Sequence, residues 1–296
     1  MSVRKMSFDD VIIGFLEKKE EDKRIHQELE IRFGTMRNAE PITRTHYDDV
    51  IKRIVSSGFK MIRTEYMLRV IPEFKDKYGN FKVSNLRAEL SGLPDIKEYC
   101  KTDSYSTLTH NIIQKVQTKN ESGNIYSIDV PDYNFRMSVS GEKRIDKGDR
   151  IHTSLTDSWG SVKKMFRYIQ RYTFRHDDMP FIQIDLSIVK ESTKRDNMMI
   201  PTKTIKESNV FDNKVKYEIE IEFVNDNVGR GTPYNEIPAI IPLVRKSINL
   251  ILSGIQGTNY PISISEKRYV IEKYKQLIGS RNKNPNYTSD FIGPSS

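Results

Sequence analysis

Between Lys216 and Val224 the chain alternates carboxylate and apolar residues without a break: Glu218, Glu220 and Glu222 against Tyr217, Ile219, Ile221 and Phe223. Successive side chains of a β-strand point to opposite faces, so the glutamates share one face and the apolar residues the other. Along a strand, residues i and i+2 lie roughly 6.5–7 Å apart. Like charges at that spacing need water, cations or basic side chains in front of them. A shorter copy occurs near the N-terminus, Glu28-Leu29-Glu30-Ile31-Arg32-Phe33, with Leu29, Ile31 and Phe33 opposite Glu28, Glu30 and Arg32. Either stretch alone fits a half-buried strand with a solvated face. Together they could converge on one divalent cation.

Alternation and turn signals predict further strands at 59–71, 81–91, 110–119, 125–130, 133–140, 163–175 and 181–190. They are punctuated by Gly79-Asn80, Gly92-Leu93-Pro94, Ser122-Gly123-Asn124 and a hairpin-type turn from His176 to Pro180. Helical periodicity is sparser. Ser7 caps a first helix with Val11, Ile12, Phe15 and Leu16 on its apolar stripe, and Thr45 caps a second that ends at Gly58. Two more are predicted at 236–253 and 266–278, the latter with Tyr269, Val270, Tyr274 and Leu277 on its apolar side. Residues 142–162 read as a loop with one short helix around Trp159, and 191–214 as a polar, mobile loop over a site. Residues 281–296, rich in Asn, Ser, Gly and Pro, read as a linker. Long strands joined by tight turns, with few helices, predict an α+β chain. Its centre would be one closed antiparallel eight-stranded β-barrel within a single domain, residues 1–280, with a few flanking helices.

Charge adds a partner class. The chain has 48 basic and 40 acidic residues, a net charge of +8. That favours a polyanion, and the double excess suits a protein that holds both a cation and a phosphate chain. The single cysteine, Cys100, excludes an internal disulfide and fits a reducing compartment. No apolar core follows the N-terminal Met-Ser-Val-Arg-Lys-Met, so no secretion signal is read, and apolar runs such as 248–255 are too short for a bilayer. The histidines show no zinc-binding spacing, and Gly229-Arg230-Gly231 lacks the lysine and helix of a phosphate loop. The lysine-rich stretch 190–206 is either a solvated loop or a guide for RNA.

In a closed barrel one face of every strand points inward, and here that face carries both signs of charge. Arg136 lies between Phe135 and Met137; Arg167 and Arg171 lie opposite Phe166, Tyr168, Tyr172 and Phe174; Asp185 lies between Ile184 and Leu186. Such an interior is costly unless wet and occupied. A triphosphate with Mg²⁺ or Mn²⁺ satisfies both signs, the cation taking carboxylate oxygens and arginines forking onto phosphate oxygens.

These segments, with Ile184-Asp185-Leu186-Ser187-Ile188-Val189-Lys190 and in this order along the chain, resemble the triphosphate tunnel metalloenzymes, which include fungal and viral RNA 5′-triphosphatases. The resemblance is closer to the N-terminal triphosphatase domains of mRNA-capping enzymes of large nucleocytoplasmic DNA viruses, of the African swine fever virus and mimivirus kind. It spans about 28–224, with weaker similarity at 260–267. It implies that Glu28, Glu30, Glu218, Glu220 and Glu222 supply metal ligands and that Arg32, Arg136, Arg167, Arg171 and Lys190 hold phosphate. The catalytic set it implies is Glu28, Glu30, Arg136, Arg167, Arg171, Asp185, Lys190, Glu220 and Glu222. The family often has a third basic residue where this chain has Ile169; Lys115, Arg63 or Arg69 could replace it. The implied activity is removal of the γ-phosphate from 5′-triphosphate RNA, the first step of cap formation. Fused guanylyltransferase and methyltransferase domains would be partners, in host cytoplasm (a viral factory) or virion, without a membrane. Two alternatives stay open: a tunnel-fold enzyme acting on small triphosphates or polyphosphate, and a non-catalytic basic RNA-binding β-domain.

Overall fold

The computed structural model describes residues 6–36, 39–196 and 198–281, so the expected linker lies almost wholly outside them. The chain opens with α1 (Phe8–Glu21), β1 (His26–Phe33), α2 (Arg44–Ser56), β2 (Lys60–Lys75), β3 (Phe81–Val83), β4 (Leu86–Ser91) and α3 (Leu93–Thr102). It continues through β5 (His110–Gln117), β6 (Ser127–Val130), β7 (Phe135–Ile145), α4 (Arg150–Ser158), β8 (Lys164–Arg175) and β9 (Ile182–Glu191). A small hairpin of β10 (Lys194–Arg195) and β11 (Met198–Met199) precedes β12 (Lys216–Phe223), α5 (Ile237–Gln256) and α6 (Ile264–Arg281).

Eight strands close a ring in the order β1-β12-β9-β8-β2-β4-β5-β7, and β7 pairs back onto β1. Every pairing around it is antiparallel. This is the closed eight-stranded barrel expected from the sequence. Strand β6 adds to β7 outside the ring, and β3 pairs with the end of β2 that projects beyond it.

The hydrophobic core lies outside this barrel. On one side, Leu29, Ile31, Val139, Ile184, Ile219 and Ile221 turn outward and are covered by α1, α2 and α5. On the other, Leu68, Val70, Ala88, Leu90 and Phe166 are covered by α3, α4, Ile205 and Val210. Val11, Ile12 and Phe15 of α1 are fully buried, each such burial contributing roughly 1.5–3 kcal/mol. With the strands' apolar faces satisfied outside, their charged faces are left to line the inside.

Several local expectations are corrected. The second helix is capped by Thr43 rather than Thr45: Thr43 Oγ1 accepts the His46 N–H in a capping box. Helix α3 starts within Gly92-Leu93-Pro94, with Pro94 in its first turn, where only a turn was expected. Strand β7 continues to Ile145 because Gly141 to Ile145 pair with β5. The 191–214 excursion is not a loose loop: its own Ser192, Ile205, Ser208 and Val210 are buried. Tyr269, Val270 and Tyr274 of α6 are exposed rather than packed. Helix α5 is long and apolar enough, by length and composition alone, to cross a bilayer, contrary to the reading from short apolar runs. Half of it, including Ile240, Val244, Ile248 and Ile251, is instead buried against the barrel and α2.

Helices α2 and α5 cross where Gly254 leaves no room. A Cβ there would lie 2.8 Å from Val50 Cγ2 and 2.9 Å from Val50 Cα. Because the obstacle includes backbone, Gly254→Ala should destabilise the fold by about 1–3 kcal/mol, read as a lower Tm in thermal unfolding.

Candidate active site

The register of the ring fixes which residues share the interior. Glu30 pairs with Glu222 and Arg32 with Glu220 across β1 and β12; Glu220 pairs with Asp185 and Glu218 with Ser187 across β12 and β9. Thr173 faces Asp185, Arg171 faces Ser187 and Arg167 faces Glu191; Arg69 lies directly across from Arg167 and Glu89 from Arg69. The β1/β12/β9 wall is rich in carboxylates. The wall formed by β8, β2, β4 and β5 carries Arg167, Arg171, Arg69, Arg87 and Lys115.

Arg171 and Arg167 reach from one wall to the other, and further arginines pair with carboxylates around the ring. Arg171 lies 3.2 Å from Asp185 and 3.4 Å from Glu220. Arg32 lies 2.9 Å from Glu30 and 2.8 Å from Glu220, and Arg167 donates to Glu218. Arg87 joins Glu89 at 2.8 Å to Glu142 at 2.6 Å, and Arg69 approaches Glu89 at 2.7 Å. Asp185 is fully buried and also accepts from Thr173 and Gln183. Burial raises the Glu220 carboxyl, but Arg32 and Arg171 outweigh it and hold it below the ordinary carboxylate range.

This network leaves two kinds of group unsatisfied. Glu28 and Glu222 have no ion-pair partner among the described residues. Burial, then Glu142 and other carboxylates, pushes Glu28 up to about 9; burial, then Asp185, pushes Glu222 up to about 8. Conversely, Arg32, Arg69 and Arg167 each keep a buried Nε–H without an aligned acceptor, despite a nearby carboxylate. Burial and the neighbouring Arg87, Arg171 and Arg167 draw Arg69 below its ordinary value although Glu89 opposes them. Among the described residues, Glu28 and Glu222 are thus the interior carboxylates of the acid wall that the arginines leave to another cation.

The sequence-derived residues divide accordingly. Glu28, Glu30, Arg32, Arg167, Arg171, Asp185, Glu218, Glu220 and Glu222 meet in the interior. Arg136 has interior parity but stands at the rim, held by Asp129 of β6 with one contact at 2.9 Å. It borders a cavity of about 700 Å³ that also reaches Glu30, Arg32, Arg87 and Lys115. Lys190 is a correction: it pairs with Tyr168 on the outer face and donates to the Phe211 carbonyl. Ile169 lies on the interior face beside Val189 and Met67, between the two arginines of β8. Of the candidate replacements, Arg69 stands nearest those arginines, Lys115 lines the rim cavity, and Arg63 pairs with Glu65 at 3.2 Å. Glu65, Arg87 and Glu89 were missed though each stands in a strand that alternates charge with apolar residues; Glu142 and Glu191 were missed because they fall in stretches without that alternation, read as loops.

Among the described residues no three carboxylate, imidazole or thiol groups already converge as a metal cage. Octahedral Mg²⁺ does not need one, since it keeps several waters and takes one or two carboxylates. The oxygen-only donors and the unpaired Glu28 and Glu222 fit such an ion. Elsewhere, His110 and His152 meet at 3.4 Å without a third ligand, and burial raises the thiol of half-buried Cys100.

No protein-family model matches the chain, and no curated protein matches it in sequence. Its structure is similar to that of the RNA triphosphatase domain of the trifunctional mimivirus mRNA capping enzyme, with a TM-score of 0.52 and 17% identity. That match covers 83% of this chain and 99% of the mimivirus domain. A triclinic structure of the mimivirus triphosphatase gives a TM-score of 0.52 at 17% identity, over 82% and 96% of the two chains. The shared feature is the fold, a closed antiparallel barrel.

Proposed function

We propose that this protein is a metal-dependent RNA 5′-triphosphatase, hydrolysing the bond between the β- and γ-phosphates of 5′-triphosphate RNA. The observation that carries this reading is the division of the tunnel into an acid wall, where Glu28 and Glu222 stand outside every ion pair among the described residues, and a facing wall that carries Arg69, Arg87, Arg167, Arg171 and Lys115. A linear triphosphate bound to a divalent cation presents the matching charges across the same gap.

Glu28, Glu30 and Glu222 would hold Mg²⁺ or Mn²⁺, with Glu218 and Glu220 alongside. A cation there neutralises phosphate charge and acts as a Lewis acid on phosphoryl oxygens. Arg171, anchored by Asp185 and Glu220, presents its guanidinium with little freedom left to lose on binding. Arg167 and Arg69 are aligned across β8 and β2 to take further phosphate oxygens, where they stabilise charge developing on the leaving diphosphate end. Water attacks the γ-phosphorus, the bond to the β-phosphate oxygen breaks, and orthophosphate leaves diphosphate-ended RNA.

The finer form of this reading is a step in mRNA cap formation. A diphosphate end is what guanylyl transfer consumes, so guanylyltransferase and methyltransferase domains are the proposed partners. The resemblance to viral capping enzymes supports that role and, with the lone cysteine, a reducing cytoplasmic setting.

Orthophosphate release from γ-labelled triphosphate RNA, with Mg²⁺ or Mn²⁺ and then with EDTA, tests the reading. Release that EDTA abolishes and metal restores is expected. RNA binding without release would leave the non-catalytic RNA-binding reading. Release from ATP or tripolyphosphate without preference for RNA would favour a small-molecule enzyme.

A further inference from the structure

The inner wall of the barrel does not stop at its rim. Strand β2 leaves β8 at Pro72 and continues to Lys75, paired there with β3. Along β2, residues 67, 69, 71, 73 and 75 share the interior parity, so Glu73 and Lys75 extend the tunnel's face beyond its mouth. Across the hairpin, Val83 pairs with Glu73 and Phe81 with Lys75, which puts Phe81 and Val83 on that same face.

A groove of about 530 Å³ lies against this extension, lined by Lys75, Phe81, Lys163, Lys203 and Glu73. Its lysines are exposed, and Glu73 is its one carboxylate. Phe81 is 64% exposed, with Lys75 Nζ 5.0 Å from its ring centroid. The rim cavity adjoins the same segment through Ile71 and Ser84. An exposed aromatic ring among cations, next along β2 to the cavity that reaches Glu30 and Arg32, fits single-stranded nucleic acid: bases stack on the ring and cations track the backbone.

We propose that the β2–β3 hairpin is the exit path for the RNA behind its triphosphate, with a nucleobase stacked on Phe81. Lys75, Lys163 and Lys203 neutralise the adjoining phosphodiesters. The identity of the group inside the tunnel rests on the triphosphatase reading; the RNA path itself rests on the groove. Discrimination between RNA and a small triphosphate would thus arise outside the tunnel.

The test uses the full chain, a short single-stranded RNA ending in triphosphate, the same RNA ending in hydroxyl, and inorganic tripolyphosphate. Stacking losses predict that Phe81→Leu lowers kcat/KM for the RNA, and affinity for the hydroxyl-ended RNA by anisotropy, at least about fivefold. Phe81→Tyr keeps a stacking face and should stay within about twofold of the parent on both. Tripolyphosphate hydrolysis, which ignores the hairpin, should also stay within about twofold in every variant. The triple change Lys75→Ala, Lys163→Ala, Lys203→Ala should make the salt dependence of RNA binding shallower by about 2 in log–log slope. Equal loss on RNA and tripolyphosphate, or no loss on RNA, overturns the proposal, as does a parent that binds no RNA. If the parent hydrolyses nothing yet binds RNA through Phe81 and the lysines, the path stands and the triphosphatase reading falls.

Discussion

Arg171→Ala is expected to lower phosphate release from triphosphate-ended RNA by about 10²–10³-fold, the loss typical of removing one fixed donor from developing charge. Lys190→Ala, on the outer face, should leave the rate within about twofold. The weight placed on Arg171 comes from its anchorage: Asp185 and Glu220 hold it at 3.2 and 3.4 Å, and Ser187 Oγ accepts from its Nε at 3.3 Å. Arg171→Lys keeps a point charge but not the planar fork, so it should recover only part of the rate. The alanine change also strips a partner from fully buried Asp185, so a lower Tm should accompany it. The lysine variant keeps that charge and separates the two effects. If Arg171→Lys restores the Tm while the rate stays low, the guanidinium geometry is what the reaction uses. Rates unchanged in both variants would remove Arg171 from the phosphate site.

The contrast between Arg171 and Lys190 also shows how far the sequence could be read. Asp185 and Lys190 are five positions apart on one strand, so alternation alone places them on opposite faces. Parity along β9 is by itself enough to set Lys190 apart from the interior residues. The same count groups Arg63, Glu65 and Arg69 opposite Leu68 and Val70, and Arg87 and Glu89 opposite Ala88 and Leu90. Their membership of the interior was therefore legible once the two Glu-x-Glu strands had defined which face was charged. What was not legible is set by long-range register. That Arg69 falls opposite Arg167, or that Arg87 meets Glu142, depends on how strands distant in sequence come into register, which no local pattern specifies. The mobile-loop reading of 191–214 failed for a related reason. Its burial rests on isolated residues, Ile205 and Val210, which show no periodicity but fill gaps over the outer wall of β2 and β8.

The two unpaired carboxylates should produce opposite effects on activity and stability. The double variant Glu28→Gln, Glu222→Gln is expected to lose metal-dependent phosphate release by at least about 10²-fold, since neutral amides are poor ligands for a hard cation. In EDTA the same variant should be more stable than the parent at alkaline pH. Burial chiefly, with neighbouring carboxylates, pushes Glu28 up to about 9 and Glu222 up to about 8 from an ordinary value of 4.5. The folded chain therefore binds these protons more tightly than the unfolded chain does. Their contribution to stability is complete below the unfolded value and is lost as pH rises through the folded ones. A metal-free parent should then lose stability between about pH 5 and 9, on the order of 1–3 kcal/mol once partial exposure and coupling are allowed for, read as a falling Tm. The glutamines have no proton to lose, so the double variant should show a flatter profile. Added Mg²⁺ or Mn²⁺ should raise the parent's Tm at pH 8 and leave the variant's unchanged, because only ionised carboxylates gain from the cation. A variant less stable than the parent at pH 8 in EDTA, or equally stabilised by metal, would show that Glu28 and Glu222 are satisfied within the protein and do not wait for an ion.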